Sequence, residues 1–398
     1  MADRFGPILP AAEWTKRKDL AVLVSALGPE NARYVGGAVR DTLLGLPVND
    51  IDVATPLTPK AVMERLNAAH IRTVPTGIDH GTVTALLTRG SVEITTLRRD
   101  VSTDGRRATV AFATDWREDA ARRDFTINAL YAAPVSGEIF DYFGGLEDLS
   151  HRRVRFIGDA RQRIREDHLR ILRYFRFQAR FGSQPANEEA ESACAELAAT
   201  LQGLSRERIG MEMLKLLALP DDPSPTIMRM ADLGVLAVVL PEADAGALAA
   251  LVREERHQKV VADPMRRLAA LLPPDPRLAE QVASRFRLSN GQKKRLIVAA
   301  NRVSDGEAQN ARALAYRIGL ESALDCLLIA GRNIATLRGW NMPRFPLKGG
   351  EIVAKGVSAG PEVARVLRAV EARWVAEGFP DRRRIDELLD AELNQSAA

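Results

Sequence analysis

The sequence predicts an α+β chain: a head built on a small mixed β-sheet, followed by an all-helical remainder. Three observations carry this. β-branched runs of period two occur before about residue 150 and fade after it. The later chain reads at helical spacing, and Pro-rich breaks cut it into helix-sized lengths. Such a change of pattern along one chain is the mark of an α+β architecture.

The elements follow in order. Residues 32–35 read as a short strand, and Asp41 to Leu46 as a helical segment that ends at Pro47. Ile51 to Ala54 reads as a strand, and Thr82–Thr88 with Ser91–Thr96 as a hairpin around Gly90. From His151 onward helices are expected over Asp159–Phe181, Glu188–Leu201 and Glu207–Leu219. Pro220–Pro225 and Leu272–Pro276 are breaks between helices. Gly349–Pro361 is a loop-rich patch before a last helix, Glu362–Glu377.

At 398 residues, 46% hydrophobic and 27% charged, the chain has material for two or three domains and an ordinary soluble composition. The net charge of +4 is a slight lean towards a polyanionic partner. The two cysteines, Cys194 and Cys326, sit in apolar helical runs and are expected to be buried free thiols in a reducing cytoplasm. No run of about 18 apolar residues is present, so no membrane span is expected. The five histidines are scattered, and no zinc spacing, His-Asp pair or Ser/His triad pattern stands out.

Chemistry enters at Tyr34-Val35-Gly36-Gly37-Ala38-Val39-Arg40-Asp41, where a strand gives way to a helix. Two glycines let backbone amides approach a phosphate, and Arg40 adds a fork of donors for the same anion. A tight turn with no ligand explains the pair equally well. About a dozen residues later, Asp50 and Asp52 alternate with Ile51 and Val53. On a strand, two carboxylates at this spacing share a face and repel unless a hard cation bridges them; magnesium is the natural one. The competing reading is an exposed acidic pair. Glu93, on the next strand-like run, either joins them or faces solvent.

Further on, Arg122-Arg123-Asp124 precedes Phe125-Thr126-Ile127-Asn128, and Asp167, Arg170, Arg173 and Arg176 recur every third residue. Arg173 and Arg176 suit a solvated or a phosphate-facing surface. From His151 to Gly182 ten arginines stand against Asp159, Glu166 and Asp167, an excess suited to an RNA backbone. Arg285, Arg287, Lys293, Lys294 and Arg295 form a second basic run.

A glycine pair followed by Asp-x-Asp resembles the signature of the polymerase-β nucleotidyltransferase superfamily. More narrowly, GGAVRD, DIDVAT, RRDFTINAL, EDHLRILRYFRF and SRERIGMEMLKLL, in that order over the first 220 residues or so, resemble the bacterial-type (class II) CCA-adding enzymes and the related bacterial poly(A) polymerases. The resemblance implies a nucleotidyltransferase head over residues 1–150, a helical neck that recognises the base over 151–221, and a helical body and tail that bind tRNA over 222–398. It implies that Asp50 and Asp52 hold two Mg²⁺ ions; Glu93 is a candidate third catalytic acid from its strand position alone, with the solvent-facing reading still open. Gly36, Gly37 and Arg40 would take the triphosphate, with Arg173 and Arg176 available to it. Arg123 and Asp124 would bind the nucleotide, the latter at the ribose. The polar run around Arg98 to Arg107 falls where the family has a mobile loop that helps switch from C to A addition.

Asp167 and Arg170 would read the base. A carboxylate only accepts and a guanidinium only donates. Cytosine and adenine both offer an amino donor beside a ring-nitrogen acceptor; uracil and guanine do not. Leaving such groups unpaired is costly enough to discriminate. The expected function is addition of C, C and A to tRNA from CTP and ATP. The alternatives are poly(A) synthesis, partial CC or A addition, and an inactive RNA-binding protein, against which the intact acid and arginine motifs argue.

Overall fold

The computed structural model describes residues 5–104 and 107–396. By contact density the chain divides into two compact units, Met1–Leu216 with Thr226–Pro241, and Leu217–Pro225 with Glu242–Ala398.

The first unit carries the sheet. Its strands are β1 (Phe5–Ile8), β2 (Arg33–Val35), β3 (Asp52–Thr55), β4 (Arg72–Gly77), β5 (Thr82–Leu87), β6 (Gly90–Thr96), β7 (Arg98–Asp104), β8 (Arg107–Phe112), β9 (Leu130–Ala132) and β10 (Glu138–Asp141). Eight of them pair in the order β1-β10-β9-β2-β3-β6-β5-β4, and β7 and β8 form a separate hairpin. The sheet is mixed because β3 and β6 run parallel while the other pairs are antiparallel. The β3–β6 register places Asp52 opposite Glu93.

The helices of this unit are α1 (Lys18–Leu27), α2 (Gly37–Leu43), α3 (Pro59–Ala68), α4 (Trp116–Ala121), α5 (Gly145–Ser150), α6 (Ala160–Glu166), α7 (Arg170–Phe181), α8 (Glu188–Glu196), α9 (Arg206–Leu217), α10 (Ser224–Asp232) and α11 (Val235–Val239). A core of Val35, Ala54, Leu97, Tyr131, Phe140 and Ile157 lies under the sheet. An aromatic seam ties the RRDFTIN segment to α7: the Phe125 ring lies 5.0 Å from both Phe156 and Phe177, and Phe156 stacks on Tyr174 at 5.8 Å. Aromatic pairs at such spacings add to their burial.

The second unit is helical: α12 (Ala245–His257), α13 (Pro264–Leu271), α14 (Pro276–Arg285), α15 (Asn290–Ala300), α16 (Asp305–Gln309), α17 (Ala311–Ile318), α18 (Leu320–Ile329), α19 (Gly349–Ala354), α20 (Pro361–Ala376) and α21 (Arg382–Ser396). One core gathers Leu251, Leu314, Leu327 and Leu337; another gathers Ile352, Val370, Trp374, Ile385 and Leu388. Among the described residues, no helix is long and apolar enough to cross a membrane.

Several expectations need correction. The helix read as continuous over Asp159–Phe181 is broken. Asp167 is extended (φ −150°, ψ 105°), and its Oδ1 accepts from the Leu169 amide at 3.2 Å. An Asp that bonds its own backbone competes with helix continuation, so α6 stops and α7 restarts at Arg170. β3 begins at Asp52, which leaves Asp50 in the lead-in loop rather than on the strand. The chain does not end its helices at Glu377: α21 follows, and Gly349–Pro361 contains α19. β1, β4, β7, β8, β9 and β10 were not anticipated. The expected polar loop after Glu93 contains the β7–β8 hairpin, with Gly105 and Arg106 outside the described residues. Finally, the second basic run is largely neutralised. Arg285 grips Glu242 at 2.8 and 3.0 Å, Lys293 pairs with Glu280, and Arg295 pairs with Asp263, Asp325 and Glu321.

Candidate active site

A cavity of about 910 Å³ opens within the first unit, and all twelve residues singled out from sequence line it: Gly36, Gly37, Arg40, Asp50, Asp52, Glu93, Arg123, Asp124, Asp167, Arg170, Arg173 and Arg176. Also on its walls are Asp41, Asn128, Arg180, Arg208 and Lys215, which the sequence reading did not assign.

The glycine turn closes β2 onto α2. Gly36 has φ 70° and ψ −123°, a backbone state that L side chains rarely adopt. Its amide donates to Leu130 O at 3.1 Å, which pins the turn to β9. Arg40, one turn into α2, is buried at 6% exposure. Its guanidinium donates to Asp41 at 2.8 Å and to Asn128, and it lies 4.1 Å over the Phe181 ring. Burial pulls the Arg40 guanidinium down from its usual range; Asp41 works the other way.

Three carboxylates mark one wall. Asp50 and Glu93 are exposed, and Asp52 is half-buried. Burial lifts the Asp52 carboxyl above its ordinary value, Glu93 and Asp50 add to the rise, and Arg123 opposes it. An all-oxygen set in which Glu93 and Asp50 disfavour the charge on Asp52 fits a hard divalent cation. Among the described residues, no group of three His, Cys, Asp or Glu side chains is already arranged to hold a metal.

The arginines around the cavity sit in guanidinium–carboxylate pairs. Arg123 donates to Asp119 at 3.1 Å and to the Tyr131 hydroxyl at 3.2 Å, and Tyr131 donates to the same carboxylate at 2.7 Å. Burial would raise the Asp119 carboxyl, yet Arg123 and the Tyr131 bond hold it below its usual range. Asp124 takes 2.7 Å from Arg173, 2.9 Å from Asn128 and 2.9 Å from the Phe125 amide. It too is held low against its burial, chiefly by Arg173. Arg176 donates to Glu212 at 2.7 Å, and Lys215 donates to the same side chain at 3.4 Å.

Asp167 and Arg170 sit at the two ends of the break before α7, and each has its own partner. Arg208 Nη2, from α9, donates to both oxygens of Asp167 at 2.8 and 3.1 Å. Arg170 donates to Glu166 at 2.6 Å and to the carbonyls of Arg163 and Arg122. Asp167 and Arg170 are therefore held separately rather than paired with each other. Arg208 lies in the SRERIG motif, so its segment was visible in sequence, but its partner 41 residues away was not.

The chain is similar to known proteins over most of its length. Residues 32–155 match the Poly A polymerase head domain family, and residues 187–246 match the family described as a probable RNA and SrmB-binding site of polymerase A. The mouse (Mus musculus) protein named CCA tRNA nucleotidyltransferase 1, mitochondrial, is 36% identical over 377 residues, covering 90% of this chain and 85% of its own length. The CCA-adding enzyme of Latilactobacillus sakei is 41% identical over 209 residues, about half of each chain. The crystal structure of the Bacillus stearothermophilus CCA-adding enzyme in complex with CTP is 26% identical and covers 96% of this chain and 98% of its own, with a TM-score of 0.71. On this likeness along nearly its whole length, the chain belongs to the CCA tRNA nucleotidyltransferase family.

Proposed function

We propose that the protein adds C, C and A to the 3′ end of tRNA from CTP and ATP, releasing pyrophosphate and using no nucleic-acid template. The observation that carries this is one cavity lined by Asp50, Asp52 and Glu93 together with the arginines of α2, α7 and the RRD segment.

Asp50 and Asp52 are the residues that would hold Mg²⁺, with Glu93 beside Asp52 in register. Bound there, Mg²⁺ would supply activation of the attacking hydroxyl and neutralisation of the leaving pyrophosphate. The chain's own groups position the reactants. The Gly36–Gly37 turn and Arg40 take the triphosphate, and Arg176, Arg180 and Lys215 extend that cationic wall. Arg123 and Asp124 hold the nucleotide, with Asp124 accepting from the ribose. Asp167 accepts the amino hydrogen of cytosine or adenine, and Arg170 donates to the neighbouring ring nitrogen. A carboxylate has lone pairs for Arg208 and for a base at once. A cytoplasmic setting belongs to the same proposal, and both cysteines are free and buried, as a reducing compartment allows.

The test is to incubate the protein and Mg²⁺ with tRNA lacking its last three nucleotides, supply CTP, ATP or both, and sequence the 3′ ends. Extension that stops at CCA is expected. Arrest at CC in the presence of ATP identifies a partial enzyme, long A tails identify a poly(A) polymerase, and no extension overturns the assignment.

A further inference from the structure

Arg40 on the glycine-turn wall and Asp124 on the RRD wall do not touch directly, because Asn128 stands between them. Its Oδ1 accepts from Arg40 Nη1, and its Nδ2 donates to Asp124 Oδ1 at 2.9 Å. Behind Arg40 lies Asp41 at 2.8 Å, and behind Asp124 lies Arg173 at 2.7 Å. Asn128 itself is only 8% exposed, as is Asp124, and all of these side chains reach the same cavity.

A primary amide presents an acceptor and a donor in one plane without carrying charge. Here it meets a cation with the first and an anion with the second. Arg40 and Asp124 attract one another across it; Asp124 is among the charges that favour the Arg40 guanidinium. In a poorly hydrated wall that attraction is strong. With nothing between them, the two would close into an ion pair and turn away from an incoming nucleotide.

We propose that Asn128 is a positioning residue, a neutral spacer that holds the triphosphate-side guanidinium and the sugar-side carboxylate apart and oriented so that both stay available to substrate. The inference rests on the nucleotide-binding reading of the cavity given above. The spacer ties the geometry of the sugar contact to that of the triphosphate contact. Its two halves are separable by chemistry. Asn128→Asp keeps an acceptor for Arg40 but faces Asp124 with no donor, so the sugar half fails outright, while the added negative charge beside Arg40 only weakens the triphosphate half. Asn128→Ala removes both halves.

The experiment is calorimetric binding of CTP and of 2′-deoxy-CTP to the full-length protein without RNA, for wild type, N128D and N128A. Wild type is expected to prefer CTP. In N128D both nucleotides are expected to weaken, CTP by about tenfold more than 2′-deoxy-CTP, the size of one charge-assisted hydrogen bond, so that the two affinities converge. In N128A both nucleotides weaken. If N128D does not fold, Asn128→Ser is read instead, and it should lower the CTP preference at least about threefold. Equal weakening of both nucleotides in N128D, an unchanged ratio in the variant that folds, or a wild type indifferent to the 2′-hydroxyl overturns the proposal. Because the readout needs no RNA, a wild type that binds nucleotides but extends no tRNA defeats the reaction assignment and leaves this test standing.

Discussion

The two units of this chain each contain a cluster of guanidinium–carboxylate pairs, and they put it to opposite use. In the helical unit, Arg267 is 2% exposed, and its donors go to Glu255 at 2.9 Å and to the carbonyls of Leu217 and Leu219 at 3.0 and 2.7 Å. Arg266 bridges Glu255 and Asp325, and Arg295 closes on Asp325 at 2.5 Å. Protein acceptors take most of the donors of those forks. Around the cavity of the first unit, Arg180 makes one long contact to Asp41 at 3.4 Å, Lys215 one at 3.4 Å to Glu212, and Arg208 spends a single nitrogen on Asp167. The residue types are the same. What distinguishes a binding wall from a structural knot is donor capacity left over beside an opening.

The largest expected effect comes from Asp52, which the fold holds at a cost. Asp52→Asn should lower nucleotidyl transfer by several kcal/mol of transition-state stabilisation, about 10³-fold or more, measured as single-turnover addition to tRNA. In metal-free buffer the same variant should melt at a higher temperature than wild type at neutral pH. The sign follows from the raised Asp52 carboxyl. A carboxyl raised on folding contributes its stability below the unfolded value and loses it as pH rises through the folded value. The advantage of Asn should therefore shrink as the wild-type melt is taken to acid pH and Asp52 protonates. An Asn variant that melts lower at neutral pH would mean that Asp52 is a structural anion.

Arg267→Ala tests the other side of the contrast. It removes the nearer of two arginine partners from Glu255, which is 2% exposed and already lifted by its burial, and leaves Arg266 at 3.3 Å. Breaking a buried pair by removing one partner costs roughly 3–5 kcal/mol, read by denaturant unfolding. CTP affinity per folded molecule should not move. A loss of CTP binding in the folded fraction would mean that the two clusters are coupled.

Which parts of this contrast were legible in the sequence depends on range. The glycine turn, the Asp-x-Asp pair and the arginine ladder of α7 are local patterns, and every residue drawn from them reached the cavity wall. The β3–β6 pairing that brings Glu93 opposite Asp52 was reachable because both runs are β-branched. The partners were not. Asn128 meets Arg40 across 88 residues and Arg208 meets Asp167 across 41, and no periodicity encodes a contact of that span. β9 and β10 are three and four residues long and take shape only through their neighbours in the sheet. The break at Asp167 hid inside a strong helical period because an Asx turn needs only one side chain to override it. α21, by contrast, was readable: Ile385, Leu388 and Leu389 have core spacing and are buried.

The smallest expected effect concerns Arg208, and it separates two uses of a half-spent guanidinium. The Arg208 and Asp167 side chains are 27% and 33% exposed, so solvent screens the pair and its loss should cost about 1 kcal/mol, roughly fivefold. If Arg208 orients Asp167, Arg208→Ala should cut the preference for CTP and ATP over UTP and GTP by about that factor, while inhibition by added pyrophosphate stays unchanged. If its remaining donors serve phosphate instead, selectivity should hold and pyrophosphate inhibition should weaken. The first result places Arg208 with Glu166 and Asn128, as a group that fixes another group. The second places it with Arg180 and Lys215 on the cationic wall. Either way the variant should fold normally, because both partners reach solvent, whereas the buried pairs of the helical unit have no such escape.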